Sequence, residues 1–215
     1  MPRILLCAAT PFEIAPLMEA LPRFEREVDV LLTGVGLMET AFALAGRLSG
    51  ARPELLLQAG IAGCLDGQLP LGHTVAVSAD TVGDLGVWEG GRFRSTFSLG
   101  FGNPDHAPWT GGWLLNRTSV ADRFPGARVK AVSVNQISTS PEQARYYREE
   151  LGAVAESMEG AAFHYAALSA GIPFLQLRSF SNYIGERDKS RWKLRESITD
   201  LNETLLTLIP NLLSV

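Results

Sequence analysis

Cysteine is scarce in this sequence: there are two, Cys7 and Cys64, in 215 residues. Both stand in apolar surroundings, which argues against a disulfide framework and makes a reducing cytoplasm the expected location. The three histidines, His73, His106 and His164, are scattered, and no CxxC, HxH or HExxH pair occurs. Neither a metal nor a cofactor is therefore expected. Positive charge is also in deficit, with 19 Lys and Arg against 23 Asp and Glu, a formal charge of −4. Phosphate backbones attract a basic stripe, and none is present, so no nucleic-acid partner is expected. The apolar runs fall far short of the roughly 20 residues of a membrane span, so no membrane partner is expected either. The opening "MPRILLCAATPFEI" lacks a cleavage site and is interrupted by Glu13, so it reads as a first strand rather than a leader. No GxSxG elbow supports a serine hydrolase, and no GxxxxGK[ST] loop supports triphosphate binding.

What is present is a core. Apolar residues make up 46% of the chain and charged residues 20%, which suits one domain over residues 1–215. Short apolar runs read as strands at 3–9, 28–36, 54–65, 73–80, 127–135 and 172–182. Helical spacing appears at 11–21, 37–48, 140–151 and 190–213, and 153–171 reads as a short strand feeding a helix. The run "GIAG" is expected to turn the chain after its strand. This alternation predicts an α/β fold with a mixed, mostly parallel central sheet flanked by helices. Residues 81–113 break the pattern, being rich in glycine and holding Trp88, Phe93, Phe97, Phe101, Trp109 and Trp113. They read either as an excursion that packs on the domain or on a second subunit, where it can wall a pocket, or as a surface hairpin with its own small cluster.

Ligands of such sheets bind beyond the carboxyl ends of the strands. Four residues near those ends stand out. Glu13 falls in a helix's first turn, where a carboxylate either complements the helix dipole or serves as a general base. Glu159 opens a helix of small and apolar residues, as an N-terminal charge or as an acceptor for vicinal hydroxyls. Arg178 lies inside an apolar strand and needs an anionic partner, for which Glu13 and Glu159 are the candidates. Asn182 closes the last strand, either capping a turn or reading a ligand edge. Gly60, Ile61, Ala62 and Gly63 allow close approach to a flat ligand. Ile137, Ser138, Met158 and Ser181 complete the strand-end set.

The segments "ATPFEI", "QAGIAGCL", "SMEGAA" and "RSFSN" resemble, in order and spacing, the purine nucleoside phosphorylase and nucleosidase superfamily over essentially the whole chain. "SMEGAAFHY" and "SNYIGERDKS" resemble most closely its futalosine-hydrolysing branch. The resemblance implies hydrolysis of the N-ribosidic bond of futalosine, releasing hypoxanthine, in menaquinone biosynthesis, by a homodimer or larger assembly. It implies that Glu13 activates water, helped by Arg178. It assigns the ribose hydroxyls to Glu159, packing on the sugar to Met158, and the flanks of the base to Ile137 and Ser138. Adenosine-type relatives have an aromatic residue where Ile137 stands, and methylthioadenosine nucleosidases have serine where Ile61 stands. Adenine-cleaving relatives have aspartate where Asn182 stands. An amide there donates to O6 and accepts from N7–H, but cannot act as an acid, which implies a 6-oxopurine. A carboxylate at Glu13 repels phosphate, which favours water over phosphate as acceptor. The 5′ arm is expected to meet the excursion 81–113 or the cations Arg187, Lys189, Arg191, Lys193 and Arg195, which otherwise form a solvated face.

Overall fold

Ile4, Leu5, Leu6, Cys7 and Ala8 are all buried, so the strand they form exists only inside a sheet covered on both faces. The structure, a computed structural model, describes residues 3–24, 26–50 and 52–214. Met1 and Pro2, which open the expected first-strand segment, lie outside the described residues. After β1 (Ile4–Ala8) come a 3-10 turn (Pro11–Ile14), α1 (Ala15–Ala20), β2 (Val28–Leu32), α2 (Leu37–Leu48), β3 (Leu55–Cys64) and β4 (Thr74–Val82). A hairpin of β5 (Gly86–Glu89) and β6 (Arg92–Ser95) and the short β7 (Leu114–Leu115) follow. The chain then forms β8 (Arg128–Ser133), α3 (Pro141–Arg145), β9 (Ala155–Ser157), α4 (Gly160–Ala170), β10 (Phe174–Tyr183) and α5 (Leu194–Leu213).

The pairs β1–β2, β1–β3, β3–β10, β4–β8 and β8–β9 are parallel. The pairs β10–β4, β3–β9 and β4–β7 are antiparallel. The expected α/β class with a mixed, mostly parallel sheet is what forms. In addition the sheet closes on itself, because β3 pairs with β10 on one side and, at its end, with β9 on the other. Helix α5 buries Leu201, Leu205, Leu208, Ile209 and Leu212 at helical spacing against one face of the sheet. Each such side chain contributes roughly 1.5–3 kcal/mol of burial. Phe163 and Ala167 of α4 and Leu44 of α2 cover Leu5, Cys7 and Leu56 on the other face.

Four expectations need correction. "GIAG" does not turn: β3 runs through it, because β10 pairs with Gly60, Ile61, Ala62, Gly63 and Cys64. The helix expected from residue 11 starts as a 3-10 turn with proline in its first positions. The helix at 140–151 is α-helical only to Arg145 and continues as a wider π turn over Tyr146–Glu150. The terminal helix starts at Leu194, after a separate turn at Lys189–Arg191 capped by Asp188. The excursion 81–113 packs its own aromatics on this chain: Trp88 and Phe93 against Tyr146, Trp109 against Tyr165.

Candidate active site

A cavity of about 270 Å³ opens beyond the ends of β1, β3, β9 and β10. Glu13, Ile61, Ala62 and Ile137 line it, with Met158, Glu159, Ser181 and Asn182. Gly60, Ser138 and Arg178 do not reach its surface and stand behind it. Residues 81–113 contribute nothing to its lining, so the excursion does not wall this site.

Glu13 is 6% exposed and held from three directions. Its Oε2 accepts from the Thr10 backbone N–H at 3.0 Å and the Thr10 hydroxyl at 3.1 Å. Its Oε1 accepts from the Ile61 N–H at 3.1 Å. Residue 61 therefore serves Glu13 through its backbone, which an isoleucine does as well as a serine. Helix α5 anchors the same turn: Asn202 Nδ2 donates to the Glu13 carbonyl at 2.9 Å, and its Oδ1 accepts from the Leu17 N–H at 3.0 Å.

Glu159 is the N-cap residue of α4, where the helix dipole favours an anion. The start of α4 is fixed from β8: the Ala161 N–H donates to Ser133 Oγ at 2.8 Å, and Ser133 donates to Asp80 Oδ1 at 2.9 Å. Glu159 Oε1 accepts from the Gly36 N–H at 3.1 Å. Its Oε2 meets Arg178 Nη1 at 3.2 Å, so the anionic partner of Arg178 is Glu159. Gly60 makes room for this group, since a Cβ there would sit 2.5 Å from Arg178 Nη1 and 2.9 Å from Glu13 Oε1.

Asn182 reaches the cavity through a register shift between Phe180 and Asn182, an irregularity that re-aims side chains at the end of a strand. Ser181 and Asn182 consequently both line the cavity. The amide is oriented locally: Oδ1 accepts from Ser181 Oγ at 2.9 Å, and Nδ2 donates to the Tyr183 carbonyl at 3.1 Å. One N–H and one acceptor direction remain for a ligand. Ile137 is 46% exposed at the rim. Ser138 is buried and gives its backbone N–H to Glu156 Oε1 at 3.0 Å.

Several lining residues were not singled out from the sequence: Phe12, Val35, Glu156 and Trp192. Glu156 is 4% exposed, and burial pushes its carboxyl above the usual carboxylate range, against the opposing bonds from Ser138. Trp192 interrupts the cationic run 187–195. Within that run Arg191 pairs with Glu186 and Lys193 with Glu196, both at the surface. Behind the cavity, burial raises Asp80 to about 7 and lowers His164 to about 4.

Three carboxylates held by backbone N–H groups, one of them paired to a buried arginine, share this cavity with an oriented amide. Such a set can hold hydroxyls, polarise water and bind a polar ring edge. A family model described as the phosphorylase superfamily matches residues 23–213. A curated futalosine hydrolase of Streptomyces coelicolor is 33% identical over 85% of this chain and 78% of its own length. One of Thermus thermophilus is 33% identical over 83% of this chain and 80% of its own. Among solved structures, futalosine hydrolase of Helicobacter pylori has a TM-score of 0.82 at 17% identity, covering 98% of each chain. The 5′-methylthioadenosine/S-adenosylhomocysteine nucleosidase of the same organism has a TM-score of 0.80 at 17% identity, covering 98% of this chain and 99% of its own. On fold, sequence match and strand-end cavity together, the chain belongs to the phosphorylase superfamily.

Proposed function

We propose that this protein is a futalosine hydrolase, cleaving the N-ribosidic bond with water to give hypoxanthine and dehypoxanthine futalosine in menaquinone biosynthesis. The observation that carries the reading is the 33% identity to curated futalosine hydrolases over most of the chain. The cavity chemistry agrees with it. Each Glu159 oxygen has one hydrogen bond or ion-pair partner, which leaves lone pairs for the ribose 2′- and 3′-hydroxyls. Met158 stands beside Glu159 to pack on the sugar. Bond breaking builds positive charge on the ribose, as in other glycoside cleavages. Glu13 then orients and deprotonates the water that attacks C1′. Asn182 holds the departing base, donating to O6 and accepting from N7–H, while solvent supplies the N7 proton. Arg178 fixes Glu159 rather than Glu13.

The protein works in this reading as a cytoplasmic homodimer. Cys7 and Cys64 are buried and unpaired, as suits a reducing compartment. No helix among the described residues is long and apolar enough to cross a membrane. Helix α2 and the loop before it expose Val35, Met38 and Phe42, at 52%, 80% and 83%, beside the exposed Tyr165 of α4. Val35 also lines the cavity, which places this apolar strip against the site's mouth.

A product assay in phosphate-free buffer tests the reaction. Futalosine, its 6-amino analogue and methylthioadenosine are supplied separately, and released base is read by chromatography. Hypoxanthine from futalosine is the expected result. Adenine from the amino substrates alone, or no base until phosphate is added, overturns it.

A further inference from the structure

We propose that Asp80 is a positioning residue for the reaction: with Ser133 it caps the start of α4 from inside the fold and so leaves the Glu159 carboxylate free for the ribose hydroxyls. The inference rests on the role given to Glu159 above. It starts from three strands that each send a fully buried polar side chain to the same place. Asp80 of β4, Ser133 of β8 and Gln176 of β10 converge on Gly160 and Ala161, where α4 begins. Gly160 lets them approach the helix backbone, since a Cβ there would strike Asp80 Oδ2 and the Gln176 amide.

The first N–H groups of a helix find no carbonyl within it, and the N-cap side chain commonly accepts from one of the next few. Glu159 is the N-cap residue of α4, yet its side chain makes no such bond. Its oxygens turn instead to the Gly36 N–H and to Arg178 at the cavity. The Ala161 N–H, two residues on, is taken by Ser133 Oγ at 2.8 Å. An ionised carboxylate only accepts, so the Ser133 proton goes to Asp80 Oδ1 at 2.9 Å and a Ser133 lone pair is left facing Ala161. Asp80 also puts a negative charge where the helix dipole favours one. Without Asp80, the remaining acceptor near the Ser133 hydroxyl is Ser157 Oγ, at 3.4 Å, and turning to it takes the lone pair from Ala161. The bare N–H then competes for Glu159, and a small displacement of that carboxylate from the ribose weakens the grip on substrate.

The test compares Asp80→Ala and Asp80→Asn by steady-state kinetics with futalosine in phosphate-free buffer, each alone and combined with Glu159→Gln. Assays at pH 8 lie above the value of about 7 to which burial raises Asp80, so the wild-type carboxylate is ionised. Asp80→Ala is expected to raise KM about tenfold, with kcat changed far less. Asparagine keeps an oxygen for Ser133, so Asp80→Asn is expected to recover most of that loss. In the Glu159→Gln background Asp80→Ala is expected to change KM little, because both substitutions act on one contact. Thermal melting monitors the fold. An unchanged KM in Asp80→Ala, or the same rise in both backgrounds, overturns the proposal, since a carboxylate that served the fold alone would act without regard to residue 159. If Asp80→Ala does not fold, Ser133→Ala decides: it removes only the hydroxyl, and the same rise and the same dependence on Glu159 are expected. Wild-type protein that releases no hypoxanthine from futalosine overturns the proposed function itself, a result distinct from these.

Discussion

Arg178 and Glu159 form an ion pair sealed from solvent, with Nη1 3.2 Å from Oε2 and side-chain exposures of 1% and 7%. Nε and Nη2 of Arg178 are buried without a hydrogen-bond partner. Losing one member of such a pair strands the other charge. Arg178→Leu is therefore expected to lower unfolding stability by roughly 3–5 kcal/mol. Glu159→Gln, which also loses the charge that grips the ribose hydroxyls, is expected to raise KM for futalosine. Urea unfolding and steady-state kinetics check the two. An Arg178→Leu variant as stable as wild type would show that the pair contributes nothing to the fold.

Glu13 is held by Thr10 and Ile61 N–H groups that an amide oxygen also accepts. Glu13→Gln keeps most of this geometry and removes the base. In the proposed reaction kcat falls roughly 10²–10⁴-fold, while futalosine binding by calorimetry changes little. A variant that still turns over at the wild-type rate removes Glu13 from the chemistry, and one that neither binds nor melts normally marks it as structural.

Asn182→Asp exchanges an amide that donates to O6 for a carboxylate. The variant keeps the acceptor for Ser181 Oγ but loses the N–H given to the Tyr183 carbonyl, at a cost of about 0.5–1.5 kcal/mol. Its kcat/KM for the 6-amino analogue is expected to rise relative to futalosine. If the ratio stays put, the amide is a turn cap and the base is read elsewhere.

Much of this site was legible in the sequence because its residues sit at strand ends, and strand ends follow from short apolar runs. Glu13, Glu159 and Asn182 were found that way. Glu156 was not, although its short strand was read, because its place at the cavity comes from β9 pairing with β3 as well as β8, a long-range closure that leaves no local pattern. The same closure explains "GIAG". Glycines usually suggest a turn, but here they clear space for Arg178, Glu13 and Ile184 inside a continuing strand. The register shift that delivers Asn182 is likewise a property of the β3–β10 pairing, not of either strand alone. The excursion 81–113 was expected to serve the ligand as one alternative. Trp88 and Phe93 instead pack on each other and on Tyr146 of the π turn, and Trp109 packs on Phe97 and on Tyr165 of α4.

Phe42 and Met38 are the most exposed of the large apolar side chains on α2. If this strip is the dimer face, Phe42→Glu places a charge in a dry interface and shifts the protein to monomer in light scattering at micromolar concentration. Because Val35 joins the strip to the cavity, activity is expected to fall with dimer content. A Phe42→Glu protein with unchanged mass and activity would move the interface elsewhere.

Asp80 and His164 give the fold two pH dependences of opposite sign. Burial raises Asp80 from 3.8 to about 7. Its contribution to stability is full below the unfolded value and is lost as pH rises through 7. Burial lowers His164 from 6.5 to about 4. The folded state then binds fewer protons than the unfolded one between those values, so stability increases with pH across that window. From pH 4 to 6.5 the two slopes oppose each other, each about 1 kcal/mol per pH unit in mid-range. Asp80→Asn removes one of them. Asparagine still accepts from Ser133, and Gln176, whose Oε1 has no partner, can turn its amide to meet the new N–H. Urea unfolding at pH 5 and 6 is the measurement. The variant's stability is expected to rise across that interval by about 1 kcal/mol more than wild type's. Above about pH 8, a unit past the Asp80 value, both groups have finished titrating, so the difference between the two proteins becomes constant. Parallel curves from pH 4 to 8 would mean that Asp80 stays ionised in the fold, and that Arg178, the nearby cation, holds it so.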